Sequence, residues 1–160
     1  MSNPAGADFG AFAGALLAVL RAHQAVVADG DRLAAAWRLN NAKWKTLGAI
    51  ALAASAPTAP QIGRSMGLSR QGAQKQLDSL MQAGLVSRVA NDSDARAPLY
   101  RLTRKGETVY GQILAAWRTR SAQLSESIDE AALLAAAKTL HEIADAIGAK
   151  PQRPRSGARR

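Results

Sequence analysis

The hydrophobic pattern of this chain leaves helical period in one place, immediately after Gly84. Before that point apolar residues recur at three- and four-residue spacing, as they do on helices packed through one face. Leu85–Val89 and Leu99–Leu102 instead read as short strands. Between them, Ala90 to Pro98 is polar and rich in turn formers, so the two strands close as a hairpin with a long tip. Helical spacing returns at Thr103. A lone hairpin is marginal in water. These strands must therefore lie on helices, and the expected fold class is mainly α with one small β-hairpin.

The helices can be placed from their stripes and caps. From Asp8 to Ala28, Phe9, Phe12, Leu16, Val19, Leu20, Val26 and Val27 share a broad face, with His23 on the same stripe. Asp29-Gly30-Asp31 is expected to end this helix, leaving a short Ala-rich piece to Arg38. Asn40 or Asn41 caps the next helix, which carries Trp44, Leu47, Ile50 and Ala51 to about Ala54 before Pro57 breaks it. Thr58 and Gln61 have capping-box spacing, with Pro60 in the first turn of a helix to about Met66. Gly67-Leu68-Ser69 makes a tight turn, and Ser69 caps a helix that stops near Ala83-Gly84. Thr103 opens a long helix with Val109, Ile113, Trp117, Leu124 and Ile128 in line; a last helix follows Asp129-Glu130 and stops at Gly148.

Composition then excludes whole classes. There is no cysteine in 160 residues, so disulfides, thiolate metal sites and thiol redox switches are out. Two histidines, His23 and His141, far apart in sequence, give no metal site. No nucleophile–base pair, phosphate-binding glycine loop or paired carboxylates stand out, which argues against an enzyme or a cofactor. The apolar Phe9–Leu20 stretch lacks a preceding cation, and no run reaches the ~18 apolar residues of a membrane span. A cytoplasmic protein without a membrane partner is expected.

The net charge of +9 is unevenly spread. Residues 61–106 carry +5, residues 107–147 carry −3, and residues 148–160 carry +5. The last block, with Pro151, Pro154 and Gly157 among its cations, reads as a disordered basic tail over 149–160. The middle block is folded, and a basic folded surface points to a polyanion.

Residues 58–83 have the pattern of a helix-turn-helix. Ile62, Met66, Leu68, Ala73, Leu77 and Leu80 hold the crossing, while Arg70, Gln71, Gln74, Lys75 and Asp78 face outward on the second helix. Arg and Gln can each make paired hydrogen bonds to one base edge in a major groove. The hairpin that follows supplies a wing with Arg88, Arg96 and Arg101. Arg96 lies near the tip, where it can enter a minor groove, and Asp94 is placed to pair with its guanidinium. The expected DNA-contact set is Ser69, Arg70, Gln71, Gln74 and Lys75 in the major groove, Arg96 with Asp94 at the wing tip, and Thr58, Arg64, Arg88 and Arg101 at phosphates.

With these pieces in order, the chain resembles the MarR family of bacterial transcription regulators along residues 9–147. The matching stretches are Asn40-Asn41-Ala42-Lys43-Trp44-Lys45-Thr46-Leu47, Gln61 to Gln71 across the helix-turn-helix, Leu80-Met81-Gln82-Ala83-Gly84-Leu85-Val86, Asp94-Ala95-Arg96, and Leu102-Thr103-Arg104-Lys105-Gly106. The resemblance implies a winged helix-turn-helix (41–102) flanked by an N-terminal dimerisation helix (8–28) and C-terminal dimerisation helices (103–148). It implies a homodimer on a pseudo-palindromic double-stranded operator. The stripes at 9–27, 109–128 and 133–147 independently exceed what one winged helix can cover. It also implies relief of DNA binding by a small-molecule or redox signal; with no cysteine, what remains is an organic effector or none, and the resemblance implies a small aromatic anion as that effector. Arg21, His23, Trp37, Trp44 and Trp117 are the expected lining of that ligand's crevice. The competing reading is a winged-helix module that binds DNA without sequence preference, or a protein partner.

Overall fold

The computed structural model describes residues 10–148. Phe9, at the start of the expected first helix, and the basic segment 149–160 lie outside the described residues. The chain divides into two compact units, Met1–Trp117 and Arg118–Arg160. The order of elements is α1 (Ala11–Ala34), a 3-10 turn (Ala35–Trp37), α2 (Asn41–Ala51), α3 (Ala59–Met66), α4 (Arg70–Gln82), β1 (Val86–Val89), β2 (Leu99–Leu102), α5 (Arg104–Ser125) and α6 (Glu130–Gly148).

Three helix ends differ from expectation. The long helix α5 stops at Ser125, so Ile128 lies beyond it in the turn before α6. Asp29-Gly30-Asp31 does not stop α1, which runs on to Ala34. Gly30 is buried there because α2 begins directly above it; a Cβ would strike the Asn41 side chain. Asp31 accepts the Asn41 backbone N–H at 2.7 Å, so the polar trio joins α1 to α2 and terminates nothing. At the other end, α2 stops at Ala51, short of Ala54. The following segment must reach Pro57, whose carbonyl accepts the Tyr100 N–H at 2.9 Å and ties this loop to the hairpin. The α2 cap is Asn40, whose side chain accepts the Lys43 N–H at 2.9 Å.

The core of the first unit gathers Leu47 and Ile50 of α2, Ile62 of α3, Leu77 and Leu80 of α4, Leu85, Val86, Tyr100 and Ile113. Full burial of one such aliphatic chain is worth about 1.5–3 kcal/mol. Only one face of each helix needs to contribute, which is why the outward residues of α4 can be polar. The strands pair antiparallel, Val86 with Leu102, Ser87 with Arg101, Arg88 with Tyr100 and Val89 with Leu99. An isolated bridge between Thr58 and Leu99 fastens the ribbon to the start of α3.

Leu85 stands outside β1 and serves as the pivot between α4 and the ribbon. Its N–H donates to the Leu80 carbonyl at 2.9 Å, and its carbonyl accepts the Thr103 N–H at 3.0 Å. Thr103 caps α5 by accepting the Gly106 N–H at 3.0 Å, and its hydroxyl donates to the Gly84 carbonyl at 2.7 Å. Lys105 donates to the Ala83 carbonyl at 2.9 Å, a cation at the C-terminus of α4. Gly106 is buried flat against the Leu85 carbonyl, where no Cβ fits. The Thr103-Arg104-Lys105-Gly106 run is therefore a joint.

The terminal helices leave much apolar surface open. In α1 the buried residues are Gly30 and Ala34, while Phe12, Leu17, Leu20 and Val26 are exposed. In α6 no residue is buried, and Leu134 and Ile147 are 66% and 62% exposed. By length and composition the helical stretch Ala11–Trp37 also suffices to cross a membrane, contrary to the expectation from counting apolar runs. The difference arises because Arg21, His23 and Gln24 interrupt the apolar run but leave the mean hydropathy of the helix high.

Substituting Gly106→Ala is expected to lower unfolding free energy by about 1–3 kcal/mol through overpacking. Gly111→Ala, in the same helix with open space around it, should be neutral or stabilising by up to about 1 kcal/mol. Urea unfolding of both variants measures the contrast; equal effects would contradict the assigned joint.

Candidate nucleic-acid interface

The helix-turn-helix is built from local chemistry. The Gln61 side-chain oxygen accepts the Thr58 backbone N–H at 2.7 Å and its hydroxyl at 2.8 Å, fixing the start of α3. Gly67 ends α3 with φ 65°, a left-handed position that glycine occupies without penalty. The Leu68 N–H returns to the Gly63 carbonyl at 2.8 Å, and the chain turns into α4. Ser69 caps α4 by accepting the Gly72 N–H at 3.1 Å. A Cβ on Gly72 would crowd that same hydroxyl at 3.2 Å, which accounts for a glycine in the first turn.

The outward face of α4 has a definite composition. Arg70, Gln71, Lys75 and Asp78 are exposed, and Arg64 is exposed on α3. Gln74 is half-buried and already engaged. Its amide nitrogen donates to Asp78 Oδ1 at 2.8 Å, and the Tyr100 hydroxyl lies 3.4 Å from its amide atoms. Neither partner was anticipated from sequence, although a tyrosine at a buried strand position needs a hydrogen-bond partner and was a usable signal.

The strand register separates the wing arginines. Directly opposed residues project from the same face of a ribbon. Arg88, opposite Tyr100, is therefore on the face that meets α4, whereas Arg101, opposite Ser87, is on the other. Arg101 instead borders a shallow cleft with Glu107 and Tyr110. At the tip, Asp94 accepts the Arg96 backbone N–H at 2.9 Å. The expected pairing of Asp94 with the Arg96 guanidinium is replaced by this Asx turn, because a carboxylate two residues upstream reaches the backbone N–H first. Asn91 closes the tip from the other side, donating to the Ala97 carbonyl at 2.8 Å and accepting the Ser93 N–H at 3.1 Å. Arg96 is left exposed at the end of an ordered turn.

A cleft of about 750 Å³ opens beside this unit, lined by Trp44, Lys45 and Gly48 of α2, Gln61 and Ser65 of α3, and Tyr110 of α5. Of the expected ligand-lining residues, Trp44 borders it. Trp117 packs against Trp44 with ring centroids 5.6 Å apart. Trp37 donates its indole N–H to Gln112 at 2.8 Å, and Arg21 and His23 are exposed on α1, so these three are not brought to the cleft. Lys45, Gln61, Ser65 and Tyr110 were missed, since only packing brings three helices to one opening. Among the described residues no group of three His, Asp or Glu is placed to hold a metal.

Comparison with known proteins gives a consistent picture. A MarR family profile matches residues 39–97. An uncharacterised protein of Mycobacterium tuberculosis is 30% identical over 126 residues, covering 79% of this chain and 85% of that protein. The crystal structure of a MarR family transcription regulator superposes with a TM-score of 0.76 at 25% identity, covering 84% of this chain and 89% of the other. The transcriptional repressor CouR, a Rhodococcus jostii protein, superposes in its complex with a 23-mer DNA duplex with a TM-score of 0.73 at 26% identity. That match covers 79% of this chain and 89% of CouR.

Ser69→Ala is expected to cost about 1 kcal/mol of stability by removing the α4 cap. Chemical unfolding checks this, and Ser69→Asp, which keeps an acceptor at the cap, should recover most of the loss.

Proposed function

The chain belongs to the MarR family of winged helix-turn-helix transcription regulators, and from that premise we propose that it is a dimeric, sequence-specific DNA-binding repressor. The observation that carries this reading is the exposed Arg70, Gln71 and Lys75 face of α4 beside a cationic wing. An α-helix fits the major groove, and its N-terminal residues reach the base edges. Arg70, Gln71 and Gln74 take the base-reading roles, with Ser69 and Lys75 at the margins of the contact. Arg96 enters the minor groove from a tip that Asp94 keeps ordered. Thr58, Arg64 and Arg88 neutralise phosphates. Arg101 projects from the opposite ribbon face and is not given that role.

The proposed dimer rests on the uncovered apolar faces of α1 and α6. A helix such as α6, with no buried residue, gains little from packing within its own chain. Helices in proteins owe most of their stability to tertiary packing of an apolar face. A second copy covers that surface, and it accounts for an apolar α1 without placing it in a membrane. Two-fold symmetry then presents two recognition helices about 34 Å apart. DNA binding of this kind takes place in the cytoplasm.

For the signal, we assign the cleft beside Trp44 to a small aromatic anion. Trp44 and Tyr110 offer aromatic walls, and Lys45 offers a cation at the opening. Occupation of the cleft relieves DNA binding in this reading.

Three measurements test it. Gln71→Ala should relax base preference at one position by about 1–3 kcal/mol, whereas Arg88→Ala should weaken all DNA alike and reduce the salt slope by about one unit. Equal behaviour of the two variants on operator and bulk DNA would favour a module without sequence preference. Titration with aromatic carboxylates should quench Trp44 fluorescence and release DNA together; no response in either signal would remove the effector.

A further inference from the structure

Tyr100 occupies a junction that the DNA-binding reading has not used. It is 1% exposed, on the core-facing side of β2. Its backbone N–H donates to the Pro57 carbonyl at 2.9 Å, ahead of α3. Its hydroxyl reaches across to α4, 3.4 Å from both Oε1 and Nε2 of Gln74. Gln74 Nε2 in turn donates to Asp78 Oδ1 at 2.8 Å. The last torsion of a free glutamine is broad, so its oxygen and nitrogen exchange places readily. Here Asp78 accepts from the amide nitrogen and cannot accept from its oxygen, which sets the amide's orientation. The Tyr100 hydroxyl, 3.4 Å from both amide atoms, can donate to the oxygen or accept from the nitrogen, and it restrains the amide's position. With the hydroxyl donating to the oxygen, one amide proton and one oxygen lone pair stay open.

We propose that Tyr100 is a positioning residue for sequence recognition: Asp78 sets the orientation of the Gln74 amide, and Tyr100 holds the amide in place and couples the wing to the recognition helix. This rests on the reading of α4 as the major-groove element. An amide fixed in this way presents one donor–acceptor order to a base edge, and adenine requires one order of donor and acceptor. A flipping amide presents both and discriminates less.

Y100F keeps the buried ring and removes the hydroxyl. A preferred site is first selected by the wild-type protein from a random DNA pool. The affinity of Y100F for that site should then fall roughly three- to tenfold, the worth of about one intramolecular hydrogen bond. Affinity for bulk DNA at matched salt and the thermal midpoint should stay near wild type. In a Q74M background, Y100F should have no further effect, because the two residues act as a unit. An unchanged preference in Y100F, an equal loss on both DNAs, loss of folding, or full additivity with Q74M would each overturn the proposal. A wild-type protein that selects no site would overturn the DNA-reading function as well; one that selects a site which Y100F reads equally well overturns only the role of Tyr100.

Discussion

The geometry of the basic surface depends on how the chain turns at Leu85. Its N–H closes the end of α4 and its carbonyl receives the first N–H after the hairpin, so one residue joins the recognition helix, the wing and α5. Gly106 lies against that carbonyl, while Thr103 and Lys105 occupy the neighbouring carbonyls of Gly84 and Ala83. Backbone groups left unpaired inside a protein cost free energy comparable to a lost hydrogen bond. Satisfying these together permits few arrangements, so the ribbon leaves α4 at a fixed angle. The wing has no sheet of its own to stabilise it, and the joint substitutes for one.

Charge and apolar surface are segregated along the chain. The cations of residues 61–106 sit on α3, α4, the wing and the first turn of α5, the elements that follow α2 around the buried cluster of the first unit. Residues 107–147 carry −3 and, in α6, expose leucine and isoleucine. In the proposed dimer this division keeps the self-association surface from competing for phosphates. Long-range attraction from the basic surface brings DNA in, and it is screened beyond about 10 Å at 0.1 M salt. In the proposed complex, discrimination comes from close-range contacts, the role proposed for Arg70, Gln71 and Gln74.

Much of this was legible in the sequence. The caps at Asn40, Thr58, Ser69 and Thr103, the turn at Gly67 and the change to strand spacing follow from local rules, and local rules govern those positions. The errors occurred where a tertiary contact overrode a local signal. Gly30 reads as a helix stop until Asn41 is found packed on it. Asp94 reads as a partner for a guanidinium, yet a backbone N–H two residues away is nearer. Arg88 and Arg101 look equivalent until the register puts them on opposite faces. The cleft was the least accessible feature, because α5 joins α2 and α3 in its walls from about fifty residues away in sequence, and only Trp44 of the expected lining borders it. Tyr100 is intermediate: its burial was predictable from strand alternation, but its partner on α4 required the fold.

The central claim is that two copies of this winged unit read one DNA site in a fixed register. Hydroxyl-radical footprinting on the DNA upstream of its own gene, at physiological salt, measures that most directly. Two protected regions related by two-fold symmetry are expected, with centres one helical turn, about 34 Å, apart. Uniform protection without register, or a single protected half-site at saturating protein, would contradict it.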